Sequence, residues 1–175
     1  TRQAVMGASV RYNHGWFDLF GELATAQNRE RWGFGTIIGS RFYPTEGVAL
    51  TALYRYYSPY FDNALGYAFS ESSRIGDENG GYIGFEVSRW KGIRWTGYAD
   101  IFSFSGPKYG IPQYPTLGYD AMSEIRFNIP HHTSNIQHHT SNITFRLRAR
   151  EKGDLAIYST RLQYDWQQGA WSLRT

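Results

Sequence analysis

A chain of 175 residues with a net charge of +3 and 19% charged residues has room for one domain. It lacks the concentrated basic excess that nucleic-acid binding requires. It contains no cysteine, which excludes a disulfide scaffold and zinc–thiolate sites. No run of about 18 apolar residues occurs, which excludes a transmembrane helix; a membrane-spanning β-barrel stays open, because its strands are apolar only at every second position.

With 14 Tyr, 11 Phe, 6 Trp and 19 Gly, the composition favours strands and turns, and ten strands are predicted. Gln3 to Tyr12 alternates, with Ala4, Met6, Ala8, Val10 and Tyr12 against Gln3, Gly7, Ser9 and Arg11. Asn13-His14-Gly15 is a hairpin turn, leading into Trp16 to Thr25. A polar hop, Gln27 to Arg31, precedes Gly33 to Tyr43, and Pro44 to Gly47 turns the chain into Val48 to Tyr57. A long loop of residues 58–79 then leads to Tyr82 to Trp90, followed by the Lys91-Gly92 turn. Ile93 to Phe104, a proline-rich loop from Ser105 to Thr116, and Leu117 to Ile129 come next. Pro130 to Asn142 reads as a connection. The remaining strands are Ile143 to Arg150, Leu155 to Trp166 and Ala170 to Thr175.

Connection lengths alternate by parity, tight after strands one, three, five and nine and long after the fourth and sixth; the second is intermediate, the eighth is short, and the seventh, with its duplicated heptad, breaks the rule. Short turns on one side and long loops on the other are the rhythm of a transmembrane barrel. Trp and Tyr collect beside the tight turns, at Tyr12, Trp16, Tyr43, Trp90, Trp95, Tyr164, Trp166 and Trp171, where one aromatic girdle is expected.

The strand faces carry the charge. A dry core does not hold Arg146, Arg148 and Arg150 in one row, and Asp120 and Glu124 on the preceding strand are their natural cross-ladder partners. Arg94, Asp100, Asp120, Glu124, Arg126, Arg146, Arg148, Arg161 and Asp165 are expected to face a wet lumen together. Ile83, Phe85, Val87, Ile101, Ile125, Phe127, Phe145, Leu147 and Leu162 are expected to face lipid. An Arg at the bilayer midplane costs about 2–4 kcal/mol, so the charged row cannot take the lipid side.

In the long loop, Asp62, Glu71, Asp77 and Glu78 are expected as acidic tips in water, with Tyr60, Phe61, Tyr67 and Phe69 folded beneath them over a barrel mouth. Such a loop acts as a cap or half of a partner site, or merely shields the rim. His131-His132 and His138-His139 fall in a tandem heptad, HHTSNIQ then HHTSNIT, within the inserted hairpin repeat at 131–144. A duplicated loop tip accounts for them without a metal, and no metal or other cofactor is expected. Asn142-Ile143-Thr144 matches a glycosylation sequon but opens a strand, and His14 is a polar turn residue. No Gly-x-Ser-x-Gly, His-Glu-x-x-His or phosphate loop is present.

The stretches YRYYSPYFDNALGYAFSESS, NGGYIGFEV and GYADIFSF, the Lys108-Tyr109-Gly110 that follows, and the WSLRT ending resemble the C-terminal barrel region of Bacteroidetes helix-hairpin-helix proteins. The resemblance covers most of the chain from about Gly33 onward. It implies an outer-membrane barrel, which in that family follows a helix-hairpin-helix segment of a type that elsewhere binds DNA. No helical Gly-hydrophobic-Gly hairpin occurs here, so DNA binding carries over to no residue of this chain. The HHTSNI duplication departs from the family's short turn.

The chain is therefore expected to be one antiparallel up-and-down transmembrane β-barrel domain over residues 1–175, or a piece of one continuing beyond both ends, in a bacterial outer membrane. Its expected role is non-enzymatic: a pore, translocation element or membrane anchor, with membrane lipid and other envelope proteins as partners. The alternatives are a soluble barrel or sandwich binding carbohydrate on its Tyr and Trp faces, and an outer-membrane hydrolase using Asp62, Asp77 or Glu78 at its rim.

Overall fold

The computed structural model of the protein describes residues 3–28, 31–62, 69–71, 75–108, 115–131, 139–153, 155–166 and 169–174. Strands Gln3–His14 (β1), Phe17–Asn28 (β2), Arg31–Thr45 (β3), Val48–Tyr57 (β4), Glu78–Val87 (β5), Ile93–Phe104 (β6), Thr116–His131 (β7) and His139–Lys152 (β8) form one antiparallel up-and-down sheet. Leu155–Trp166 (β9) pairs with β8, and Gly169–Arg174 (β10) with β9. No described residue is helical. Among the described residues strands touch only their ladder neighbours, and no second layer of strands covers either face. Among the described residues no ladder joins β1 to β10, and the expected barrel closure is not observed.

Apart from a register shift between Phe42 and Thr45, pairing carries the period-two pattern across the sheet. Ile37, Arg55, Gly80, Phe102 and Gly118 form one cross-strand row; one residue along, Ile38, Tyr54, Gly81, Ile101 and Tyr119 form the next. Successive rows point to opposite sides. Each of β1 to β8 thereby presents a large exposed apolar side chain on one common face: Met6, Leu23, Ile38, Leu50, Ile83, Ile101, Leu117 and Leu147. The chain exposes 12231 Å² in all. A compact monomer of 20.2 kDa exposes about 8,800 Å².

Strand limits differ from the sequence expectation at several places. β1 runs through Asn13 and His14, which pair with Asp18 and Phe17, so Gly15 and Trp16 make the turn and His14 is a strand residue rather than a turn residue. β3 runs through Pro44, because the register shifts between Phe42 and Thr45 and such an irregularity accommodates a residue without an N–H; Glu46 and Gly47 make the turn. β5 starts at Glu78 and stops at Val87. The Ser88 N–H donates to Gly47 O at 2.7 Å and the Ile93 N–H to Trp90 O at 3.0 Å, so Trp90 belongs to the turn. The second copy of the His-Thr-Ser-Asn repeat is strand and not loop. Pro130 pairs with Thr140 and His131 with His139, and the ladder continues through Asn128 and Asn142. The first copy's His132 and the second copy's His138, with the residues between them, lie outside the described residues.

Buried side chains gather on the other face, at the long-connection end. The backbone after β4 folds back there: the Ser58 N–H donates to Phe34 O at 2.9 Å, and Ser58 Oγ accepts the Phe34 N–H at 2.9 Å. Phe61 packs with Ala24, Ala26 and Tyr57, its ring stacked on Tyr57 at 5.7 Å, and Ile37 and Ile75 complete the cluster. Gly33 makes this approach possible, since a Cβ there would stand 2.1 Å from the backbone nitrogen of Phe61. Gly33→Ala should destabilise the protein by about 1–3 kcal/mol, read as a lower denaturation midpoint. An unchanged midpoint would mean that Tyr60 and Phe61 are not seated on β3.

Candidate functional site

Opposite the apolar face lies a ladder of ion pairs, built up from one buried arginine. Arg55 on β4 is fully buried, and so are Glu78 on β5 and Asp100 on β6. Its Nε donates to Glu78 Oε1 at 2.6 Å, and its Nη1 and Nη2 donate to Asp100 Oδ1 and Oδ2 at 2.8 and 3.0 Å. Removing these charges from water is costly, and the two-pronged geometry is what offsets that cost. Gly80 supplies the room: a Cβ there would meet the Arg55 guanidinium carbon at 2.7 Å. The Phe69 ring packs against the same guanidinium, 4.9 Å from its centroid.

The long loop is tied to this triad and, through it, to strands further along. Glu78 Oε2 accepts from Ser70 Oγ at 2.6 Å, and the Glu71 N–H donates to both Glu78 oxygens at 3.1 Å. The Glu71 carboxylate accepts from Arg150 Nη2 at 2.6 Å, and its carbonyl from Lys152 Nζ at 2.8 Å. One residue therefore bridges β5 to β8. Burial pushes the Glu71 carboxyl above its ordinary value, and the charge of Arg150 pulls it back. Asp77, at φ 51°, accepts the N–H groups of Ser105 (3.2 Å) and Gly106 (2.7 Å), while Lys108 donates to Gly76 O.

The expectation of acidic tips in water fails for Glu71, Asp77 and Glu78. Glu78 opens a strand and neutralises Arg55, Glu71 is clamped by Arg150, and Asp77 caps backbone donors of the next connection. The acid/base role considered for Asp77 and Glu78 does not fit these engagements. Phe61 is folded under the loop, as expected, while Tyr60 is exposed with Arg31 over its ring at 4.7 Å. Asp62 is half-buried. Tyr67 lies outside the described residues.

Along β7 and β8 the ladder continues. Asp120, buried, accepts from Arg148 through Nε (2.9 Å) and Nη2, and from the Tyr98 hydroxyl at 3.2 Å. Glu124 accepts from Arg146 Nε at 2.5 Å and Arg126 Nη2 at 3.2 Å. Glu86 is shared by Arg94 at 3.0 Å and Arg41 at 3.6 Å. Register places Arg94, Asp100, Asp120, Glu124, Arg126, Arg146, Arg148 and Arg161 on this one face. Ile83, Phe85, Val87, Ile101, Ile125, Phe127, Phe145 and Leu147 share the opposite one. The backbone of Asp165 pairs with Asn142 and that of Leu162 with Phe145; their side chains lie outside the described residues.

The aromatic girdle divides. Tyr12, Trp16 and Trp95 are exposed with the apolar face at the tight-turn end; Trp16 packs on Phe17 and Phe42, and Trp95 Nε1 donates to Ser123 Oγ at 3.0 Å. Trp90 is exposed in its turn. Tyr43 turns instead to the ionic face, where its hydroxyl donates to Asp18 at 2.9 Å and its ring lies 5.4 Å from Arg41. It follows the parity of Arg41, on which the sequence expectation did not draw. The side chains of Tyr164, Trp166 and Trp171 lie outside the described residues. A second aromatic group, Trp32, Phe34, Tyr54 and Tyr56, sits on the apolar face toward the long connections, with Phe34 and Tyr56 at 5.4 Å. Sequence reasoning passed over it because it looked for aromatics only beside tight turns.

Among the described residues no group of His, Asp and Glu has the geometry of a metal site. Compared with protein-family models, curated proteins and solved structures, the chain matches none of them.

Arg55→Ala should cost about 3–5 kcal/mol, because it leaves Glu78 and Asp100 buried without their counter-charge; a cost below about 1 kcal/mol in denaturant unfolding would remove Arg55 from the centre of the site. Glu71 sets a pH dependence of the opposite kind from an ordinary salt-bridged carboxylate. Because its folded value is raised, its contribution is complete below the ordinary glutamate range and is lost as pH rises through the raised value. Proteolytic nicking of the 58–77 loop should therefore increase as pH rises above the ordinary glutamate range, and Glu71→Gln should flatten that rise. Identical pH profiles for the two proteins would exclude Glu71 as the titrating group.

Proposed function

We propose that this chain forms the membrane-spanning sheet of an outer-membrane β-barrel and serves, without catalysis, as a pore, translocation element or membrane anchor in a bacterial envelope. One observation carries the proposal: the unbroken apolar face, with exposed side chains from every strand of β1 to β8, backed by an ionic face. A soluble monomer rarely exposes a contiguous apolar patch beyond about 300–600 Å². Lipid is the solvent for such a face, and the charges opposite it belong in a watery interior.

Dimensions agree. On β3, Trp32 and Phe42 are both exposed on the apolar face toward its two ends. Ten steps of strand at about 3.3 Å, tilted by about 40°, rise about 25 Å along the membrane normal, the height of the apolar band of such barrels. The aromatics at both ends then stand at headgroup level. A membrane barrel leaves no strand edge unpaired, so the proposal requires that β1 and β10 find partners in the bilayer, either each other or further strands. The 69–71 segment, fastened from Glu78 to Arg150, would narrow the interior from the long-loop side.

The test is reconstitution. The protein should require detergent or lipid for solubility, and Ile101→Arg or Leu147→Arg should lower its stability in bilayers by about 2–4 kcal/mol if these positions lie near the midplane. Ready solubility of the wild type as a monomer in buffer alone would overturn the membrane assignment. In planar bilayers, deleting residues 63–77 should raise single-channel conductance. Unchanged conductance, with unchanged capture of envelope proteins, would leave the loop neither a cap nor a docking element.

A further inference from the structure

We propose that the arginines at the tight-turn end of the ionic face form a binding site for oxyanions, inorganic phosphate being the simplest, and that they make the interior selective for anions. The inference rests on the barrel assignment for its selectivity and on the local geometry alone for its binding site.

Two pairs of like charges stand directly across the ladder there. Arg94 on β6 pairs in register with Arg126 on β7, and Arg146 on β8 with Arg161 on β9. Directly opposed like charges destabilise a sheet, so a sequence that places two such pairs side by side gains only if negative charge joins them. The protein supplies part of it. Glu124 serves Arg126 and Arg146, and Glu86 serves Arg94 but is divided with Arg41. Among the described side chains, the carboxylates Glu86 and Glu124 thus serve four guanidinium groups, of which Arg41 also stands opposite Asp18, and Arg161 faces Arg146 across the next ladder.

The imbalance is local. Towards the long connections, Arg55 is matched by Glu78 and Asp100, and Arg148 and Arg150 by Asp120 and Glu71. At the turn end the head groups also keep access to solvent: the Arg94 side chain is 50% exposed, Arg126 44% and Arg146 35%. Four adjacent strands put these arginines within a width of about 14 Å, so neighbouring forks can converge on one tetrahedral anion. Guanidinium groups pair with phosphate oxygens two at a time, which an ammonium cannot do.

The experiment has a binding arm and a transport arm. In detergent micelles at matched ionic strength, phosphate in place of chloride should raise the melting temperature by several degrees when present at about 100 times its Kd. Arg94→Gln with Arg126→Gln should abolish that rise, while Arg126→Lys, which keeps the charge and loses the fork, should reduce it. In planar bilayers under a potassium chloride gradient, the reversal potential should report preference for chloride, added phosphate should depress the current, and the double glutamine variant should lose both effects. Cooperative melting of the variant in chloride shows that it is folded. A phosphate shift without any conductance would uphold the site and overturn the pore. Conductance with neither anion preference nor a phosphate shift would uphold the pore and overturn the site. The absence of every one of these signals would overturn both.

Discussion

A guanidinium with no exposed surface must be neutralised where it stands, and Arg55 is neutralised by carboxylates from the two strands that follow its own. That requirement fixes more than one contact. A slip of a single residue in either ladder would carry Glu78 or Asp100 to the apolar side and leave charge buried without a partner, which is among the most expensive errors a sheet can make. The triad therefore sets the register of β4, β5 and β6, and the same Glu78 that holds Arg55 also holds the loop through Ser70 and Glu71. Strand pairing and loop placement depend on one electrostatic knot.

The sheet has no conventional interior. Among the described residues, one small buried cluster lies where the chain after β4 folds back over β2 and β3, a second is Phe102 with Phe104 on β6, and most of the large apolar side chains are exposed on the opposite face. In water such a layer lacks the burial that stabilises ordinary domains. In a bilayer the requirement changes: every backbone group must be satisfied within the ladder, and the apolar side chains need only hydrocarbon around them. The alternation of the two faces, uniform over β1 to β8, suits the second solvent.

Much of this was legible in the sequence, for a simple reason. Period two is a local property, so the ladders of β4, β6 and β9 and the pairing of Arg146 and Arg148 with Glu124 and Asp120 could be read from neighbouring residues. The Arg55 triad was not legible. Its members are separated by 23 and 45 positions, and Glu78 stands next to Asp77, in a polar run that resembles loop. One signal was available: a lone Arg in an aromatic strand, on a chain with glycines where its cross-strand neighbours would fall, demands a distant carboxylate. Tyr43 went astray because proximity to a turn does not determine which face a ring takes; alternation from Arg41 carries it to the ionic side. The barrel, the membrane and the family resemblance draw on the quoted stretches and on the physics of the faces alone.

Asp77 gives the two long connections a shared fate. Its backbone belongs to the segment after β4, while its carboxylate holds the N–H groups of Ser105 and Gly106 after β6, and Lys108 returns the tie to Gly76. The segment before β5 and the segment after β6 cannot swing apart without breaking the clasp. Among descendants of this sequence, changes at Gly76 or Asp77 should be accompanied by compensating changes at Ser105, Gly106 or Lys108, so that the clasp is inherited as a single unit even though β5 and β6 separate its halves in the chain.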